Sequence, residues 1–328
     1  MGIRIAGTGS YVPEKVLTNL DLEKMVETTD EWISTRTGIK ERRIAEANIP
    51  TSDLAAKAAE AALAMAGISA DQLSAMSVAS ITQDKVFPST ACIVQRKIKA
   101  TKAFCFDLQA ACSGLLYSLE VAKSMLITHP EYKYYMVIGS EKLSSIVDWQ
   151  DRSTCVLFGD GAAAILLEKT DSDENCFLGS KLGSDGNYTD ILQIQAGGSD
   201  TPASHETIDN KLHYMKMDGQ AVFKLAVNAM VGACKETMEK CGVHPSQIKW
   251  LVPHQANYRI LKTVAAKLDI SEENVYINVH KYGNTSAASI GLCLDEMVRG
   301  SQVQKGDYVL LTAFGGGLTW GATLIKWC

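Results

Sequence analysis

The sequence repeats itself once, faintly, and that echo constrains the fold more than any other feature. "FGDGAAAILLEK" begins at Phe158 and "FGGGLTWGATLIKW" begins at Phe314. Both read Phe-Gly-x-Gly, then small residues, then an apolar run that closes on Lys. They lie about 156 residues apart. A period that long implies a duplicated half rather than a solenoid of short units. Glycine turns before strands are common, so chance is the competing account. One copy ends each half of the 328-residue chain, which divides it into 1–170 and 171–328.

Between the echoes, short apolar strands alternate with longer helical patterns, so the chain reads as α/β. "SDLAAKAAEAALAMAG" (52–67) predicts a helix with Ser52 as its cap and Gly67 as its stop. "AMSVASIT" (75–82), "KAFCFDL" (102–108) and "YYMVIGSE" (134–141) predict strands, and 154–169 carries another through a glycine turn. Residues 111–128 predict a helix with a wide apolar face of Leu115, Leu116, Leu119, Ala122 and Leu126. The stretch 171–213, rich in Gly, Ser, Asp and Asn, reads as a crossover and a long surface excursion.

Composition narrows the class. With 46% apolar and 21% charged residues the chain is that of a globular protein with a sizeable core. A net charge of −5 provides no global cationic field for nucleic acid. No run approaches the ~20 apolar residues of a membrane span. "MGIRIAGTGSYVP" lacks the apolar core of a signal peptide, and Ala6 stands where N-acylation wants Ser or Thr. The expectation is a cytosolic protein. Its nine cysteines show no Cys-x-x-Cys pair, which argues against zinc or a redox dithiol. They read as reduced thiols, most of them plain core residues.

One cysteine has a different setting. In "FDLQAACSGLL", Cys112 follows a strand and opens a helix, where the positive end of the helix dipole favours a thiolate. Ala110, Ala111, Ser113 and Gly114 leave room for a substrate carbonyl, and a backbone N–H there can hold an oxyanion. In "LVPHQANYRIL" (251–261), His254 also sits at a strand-to-helix junction. None of the six histidines pairs at i, i+4, so a metal cluster is not expected. In "YGNTSAAS", Asn284 can offer its amide to a cavity, although beside Gly283 the local sequence favours a plain turn residue. "TAFGGGLTWG" (312–321) has no Lys-Ser/Thr after its glycines, so backbone amides aimed at an oxyanion fit better than a nucleotide phosphate loop.

In this order and spacing, "ACSG", "PHQAN", "GNTSAAS" and "FGGGLTWG" closely resemble the beta-ketoacyl-[acyl-carrier-protein] synthase III family of type II fatty acid synthesis. "GTGSYVPEKVLTN", "TDEWISTRTGIKERRI", "FPSTAC", "DRST" and "MDGQAVFK" extend the resemblance over essentially the whole chain. It implies a thiolase-like duplicated fold in five layers, α/β/α/β/α. The first half would carry the nucleophile Cys112 and the second His254 and Asn284. The resemblance places the oxyanion amides on Cys112 and Gly316, and coenzyme A contacts on Thr28, Trp32, Arg36, Arg152, Gly219, Phe223 and Asn257. Phe314 would lie over the reaction centre, and Leu143 and Phe158 would line the acyl pocket. Phe87 would line the pocket of a partner in a homodimer. Arg259, Lys262, Lys267 and Lys224 form a basic face that can receive an acidic carrier protein.

The implied reaction is condensation of an acyl-CoA starter, acetyl-CoA in the first instance, with malonyl-[acyl-carrier protein], releasing CO2. The CoA thioester is a substrate and no cofactor is expected. A degradative thiolase would want a second Cys where Ala313 and Phe314 stand, and an HMG-CoA synthase would want a Glu base that has no assignment here. A chain-length factor would lack Cys112. A starter enzyme of polyketide or quinolone synthesis would carry the same three residues, and an acyl-CoA-binding module is the non-catalytic alternative.

Overall fold

Every residue of Tyr134–Glu141 is buried, and the run is rich in β-branched and aromatic side chains, which suits a strand covered on both faces. In the computed structural model, which describes residues 2–172 and 175–328, this segment lies at the centre of a five-stranded sheet. Its strands are β1 (Gly2–Tyr11), β2 (Leu73–Ala79), β3 (Phe104–Leu108), β4 (Tyr134–Glu141) and β5 (Gly161–Thr170), in the order β1-β5-β4-β2-β3. β4 runs parallel to β2 and antiparallel to β5, which in turn runs antiparallel to β1.

The second sheet repeats the first. Its strands are β6 (Phe177–Ser184), β7 (Ile248–Pro253), β8 (Tyr308–Gly315) and β9 (Thr319–Lys326), in the order β7-β8-β9-β6. β8 is parallel to β7 and antiparallel to β9, and β9 is antiparallel to β6. Each Phe-Gly-x-Gly echo therefore precedes the equivalent strand, β5 or β9. The counterpart of β3 is reduced to one parallel bridge between Leu251 and Val275.

Six long helices make the remaining layers: α1 (Thr51–Ala66), α2 (Thr90–Ile98), α3 (Gly114–Thr128), α4 (Gly219–Cys241), α5 (Tyr258–Lys267) and α6 (Ser289–Arg299). α3 and α6 lie between the sheets, where Leu115, Leu119, Ile290 and Leu294 pack with Val137 of β4 and Leu311 of β8. α1 and α2 cover the outer face of the first sheet and α4 and α5 that of the second. The result is the five-layered α/β/α/β/α arrangement expected from the motifs. Among the described residues no helix is long and apolar enough to cross a membrane.

Several local expectations are corrected. Pro50, not Ser52, precedes the first turn of α1, because the Ser52 amide and hydroxyl are both taken by Asp84. β2 ends at Ala79, where Ser80 and Thr82 turn to hydrogen-bond a buried carboxylate, Glu141. The helix expected from residue 111 begins with a separate tight turn, Ala111–Ser113, before α3. The run 154–169 starts as a helical turn, Arg152–Cys155, and becomes strand only at Gly161. The supposed excursion 171–213 contains β6. Its Leu192–Ile194 pairs with Met215–Met217 as a small two-stranded ribbon.

The cysteines differ too. Cys176 and Cys328 form a disulfide, with Cα atoms 5.7 Å apart, whereas all nine were expected to be reduced. The pairing of β6 with β9 explains the encounter: Lys326 N–H donates to the Cys176 carbonyl at 2.8 Å and carries the last residues alongside. The other seven are free thiols.

One contact locks the sheet to the loop after Gly283. A Cβ at Gly139 of β4 would lie 2.3 Å from the Ala287 carbonyl oxygen. Gly139→Ala must push that backbone away, at a cost of about 1–3 kcal/mol. The urea midpoint of the variant should fall with an unchanged slope; an unchanged midpoint would contradict this packing.

Candidate active site

Three short backbone segments meet between the layers: Ala111–Ser113, the loop at Asn284–Ala288, and the glycines 315–317. They are tied directly. The Ser113 hydroxyl donates to the Thr319 carbonyl at 3.0 Å, and the Thr319 hydroxyl donates to the Ala110 carbonyl at 2.8 Å. A Cβ at Gly315 would lie 2.6 Å from the Cys112 amide nitrogen, so only glycine permits this approach. Ala111 (φ 45°) and Ser286 (φ 48°) adopt left-handed backbone beside the site, where strain is characteristic of functional positions.

Cys112, His254, Asn284, Phe314 and Gly316 all line one cavity of about 920 Å³. Cys112 is 9% exposed, and burial pushes its thiol up to about 12. Against this, the neighbouring Ser286 hydroxyl lowers it, while the Glu141 charge raises it further. The expectation that the helix start favours the thiolate is therefore overturned at rest. Cys112 sits in the turn before α3 rather than on its first turn, and desolvation outweighs the dipole.

His254 follows β7, and its amide donates to the Thr312 carbonyl at 2.7 Å. Burial holds the imidazole near 3, so it is neutral. Its Nδ1 lies 2.7 Å from the Ser289 hydroxyl. That hydroxyl also accepts from the Gln255 amide at 3.4 Å; when it directs its own proton to Nδ1, the ring proton stands on Nε2. Asn284 is fixed just as firmly: its Oδ1 accepts from the Ser286 amide at 2.8 Å. The remaining end of the side chain, Nδ2, is then a donor. A neutral imidazole, a side-chain amide and a thiol thus share one largely apolar pocket.

The expected pocket residues Leu143 and Phe158 line the same cavity. Phe87 does not; it is 84% exposed, next to Val86 at 86%. Among the expected coenzyme A contacts, Trp32, Arg36, Gly219, Phe223 and Asn257 line the cavity. The guanidinium carbons of Arg36 and Arg152 stand 5.0 and 5.2 Å from the Trp32 ring centre. Arg152 also donates to the Glu27 carbonyl at 2.8 Å. Thr28 is absent from the cavity wall, and its hydroxyl is buried without a partner.

The basic face is only partly free. Arg259 lines the cavity and lies 5.9 Å from the Phe223 ring centre. Lys262 is paired with Glu272 at 3.3 Å, while Lys224 and Lys267 are exposed. Among the described residues no cluster of His, Cys, Asp and Glu could hold a metal.

Sequence reasoning missed Ser286, Ser289 and Glu141, which orient or touch the central groups, and the ribbon residues Leu192, Met215 and Met217 in the cavity wall. The one available signal was an acid closing an otherwise apolar strand, Glu141, since a buried carboxylate is expensive to keep without purpose.

Comparison with known proteins identifies the family. The family model described as 3-oxoacyl-[acyl-carrier-protein] synthase III matches residues 106–186, and its C-terminal model matches 238–327. Beta-ketoacyl-[acyl-carrier-protein] synthase III of Caldanaerobacter subterraneus is 51% identical over 323 residues, covering 98% of this chain and 97% of the relative. The crystal structure of 3-oxoacyl-[acyl-carrier-protein] synthase III from Aquifex aeolicus superimposes with a TM-score of 0.91 at 46% identity, covering 99% of this chain and 100% of that one. The priming beta-ketosynthase of the R1128 polyketide pathway follows at 31% identity and a TM-score of 0.90, covering 99% and 96%. With its matched motifs in both halves and its full-length relatives, this chain belongs to the beta-ketoacyl-[acyl-carrier-protein] synthase III family.

Proposed function

We propose that Cys112, His254 and Asn284 join an acyl-CoA starter to malonyl-[acyl-carrier protein], giving 3-oxoacyl-[acyl-carrier protein] and CO2. The observation that carries this reading is the shared cavity: a thiol, an imidazole and a side-chain amide on three separate segments, with no carboxylate among the described residues of its wall. Cys112 attacks the starter thioester and coenzyme A leaves. The malonyl thioester then enters, and its carbonyl oxygen accepts from His254 Nε2–H and Asn284 Nδ2–H. Loss of CO2 places negative charge on that oxygen, and donors aimed at developing charge are worth ~3–4 kcal/mol each. Neutral imidazole suits this role, because it donates a hydrogen bond to the enolate oxygen without being acidic enough to give up its proton and quench the carbon nucleophile. The resulting carbon nucleophile attacks the acyl-Cys112, and the oxyanion rests on the amides of Cys112 and Gly316.

The cavity mouth suits a nucleotide and its pantetheine arm. Trp32, flanked by Arg36 and Arg152, offers an aromatic face and cations for an adenine and its phosphates. Arg259, between the mouth and the exposed face of α5, suits an acidic carrier protein better than Lys262, whose charge Glu272 already engages. The exposed Val86 and Phe87 suit burial against a second copy of the chain, with Phe87 closing the partner's pocket. The two halves, 1–170 and 171–328, would then be paired duplicates contributing the nucleophile and the donors respectively. A starter enzyme of polyketide synthesis is the second reading, and the R1128 similarity favours it less than the relatives of 46–51% identity favour the first. Assays with acetyl-, isobutyryl- and longer acyl-CoAs separate the starters.

Cys112→Ser is expected to abolish condensation, and wild-type turnover by that variant would sink the reading. Ser289→Ala frees the imidazole to carry its proton on either nitrogen. Malonyl decarboxylation should fall about tenfold in kcat with little change in KM; an equal loss through KM alone would contradict the tautomer argument. Arg259→Glu should weaken use of malonyl-[acyl-carrier protein] more than use of acyl-CoA. Equal losses with both substrates would place Arg259 elsewhere in the mechanism.

A further inference from the structure

The acyl-transfer step leaves a proton without a home. Burial holds the Cys112 thiol near 12, and the same burial makes His254 too weak a base to take its proton. Directly behind the thiol lies a carboxyl group that the reaction so far does not use. Glu141, the last residue of β4, is fully buried. Its Oε1 accepts from the Ser286 hydroxyl at 3.0 Å, and Ser286 lines the cavity together with Cys112. Its Oε2 accepts from Thr82 Oγ1 at 2.6 Å, Ile81 N at 3.1 Å and Ser80 Oγ at 3.2 Å. Among the described residues no cation pairs with it, which is unusual for a buried acid. Thr82 and Ser286 hold it in place from two different loops.

We propose that Glu141 accepts the Cys112 proton through the Ser286 hydroxyl during acylation and returns it to the departing coenzyme A sulfur. The inference rests on the acyl-transfer reading given above. As Sγ forms its bond to the acyl carbon, its proton passes to Ser286 Oγ, and the hydroxyl proton of Ser286 passes to Glu141. When the carbon–sulfur bond to coenzyme A breaks, the thiolate leaving group takes the hydroxyl proton of Ser286 directly, and Glu141 returns its proton to Ser286 Oγ, because Cys112 Sγ is by then acylated. No net charge is created in the cavity. The pair holds one negative charge throughout, first on the carboxylate and then on sulfur, so the two groups titrate as a unit. Glu141 touches no reacting atom and is a positioning residue for the proton.

Its environment suits this task. Burial raises the Glu141 carboxyl to about 7, despite four hydrogen bonds that lower it, and a base near neutrality is the most effective proton acceptor at neutral pH. Among the described residues, Cys112 is the titratable group it reaches through a hydroxyl. The neighbouring charges are engaged elsewhere. Lys142 Nζ is bound to the carbonyls of Glu46, Ala47 and Ile49, Asp160 to Ser144 and the Ala45 amide, and Asp84 to Ser52. His254 is neutral. Because the active form is the carboxylate, Cys112 reactivity should rise with pH through a limb centred near 7.

The test uses the full chain and two probes. Transfer of radiolabelled acetyl from acetyl-CoA is measured without malonyl substrate, and iodoacetamide alkylation of Cys112 is followed from pH 5 to 9. Glu141→Gln keeps the shape of the side chain but cannot take a proton. It should lose about 100-fold in acetylation and lose the limb near pH 7 in both assays, with thermal melting confirming the fold. Ser286→Ala should lose the same limb, and Glu141→Asp should restore it. A Glu141→Gln enzyme that keeps the limb and wild-type acetylation would overturn the relay. Alkylation needs no acyl-CoA. If the limb follows Glu141 while the wild type fails to condense malonyl-[acyl-carrier protein], the relay stands and the proposed reaction falls.

Discussion

Two places where backbone touches backbone hold this molecule's centre in register. At Gly139 the middle strand of the first sheet presses on the Ala287 carbonyl, and at Gly315 the end of β8 presses on the Cys112 amide. Neither contact tolerates a side chain. Each binds a strand of one sheet to a loop that carries chemistry, so the packing of the sheets through α3 and α6 sets the positions of the thiol and the amide donor together. A functional arrangement built this way inherits the rigidity of a closely packed interior. Hydrogen bonds from Ser113, Ser286, Ser289 and Thr319 then turn the individual groups to face the cavity.

The same closeness decides the electrostatics. Removing water from the centre raises the Cys112 thiol and lowers the His254 imidazole, driving both toward their neutral forms. In the proposed reaction this suits the imidazole, since a developing enolate calls for a neutral donor, and it hinders the thiol. Desolvation would thus divide the labour, preparing one half of that reaction and leaving the other in need of a proton acceptor.

The sequence disclosed the architecture because the duplication leaves matching glycine turns before β5 and β9, and because the covered strands are apolar from end to end. It marked Cys112 and His254 as candidates because each stands at a strand-to-helix junction, and Asn284 because it lies in a small-residue loop opening a helix; the structure brings all three to one cavity. Ser286 and Ser289 were hidden for a physical reason: a serine near a helix start looks the same whether it caps, packs or orients an imidazole. The helix-dipole argument for Cys112 failed because the sequence does not report solvent exposure, and exposure decides the sign of the shift. Cys176 and Cys328 are 152 residues apart, and only the pairing of β6 with β9 reveals that they meet. The 171–213 stretch misled because its polar composition masks alternate residues that face inward.

That stretch supplies the cavity wall in an unusual form. The ribbon of Leu192–Ile194 and Met215–Met217 belongs to neither main sheet. It joins the rest through a few backbone bonds, among them Met215 N–H to the Ile146 carbonyl and Asp218 N–H to the Ile191 carbonyl, both at 2.8 Å. The thiol and its donors are anchored in the duplicated scaffold, whereas Leu192, Met215 and Met217 are mounted on an insert. Pocket width can therefore drift by exchanging residues on the insert while the reacting groups stay still. Methionine, unbranched and adaptable, is suited to such a boundary. Substrate choice and chemical competence are in this sense separately heritable properties of one chain.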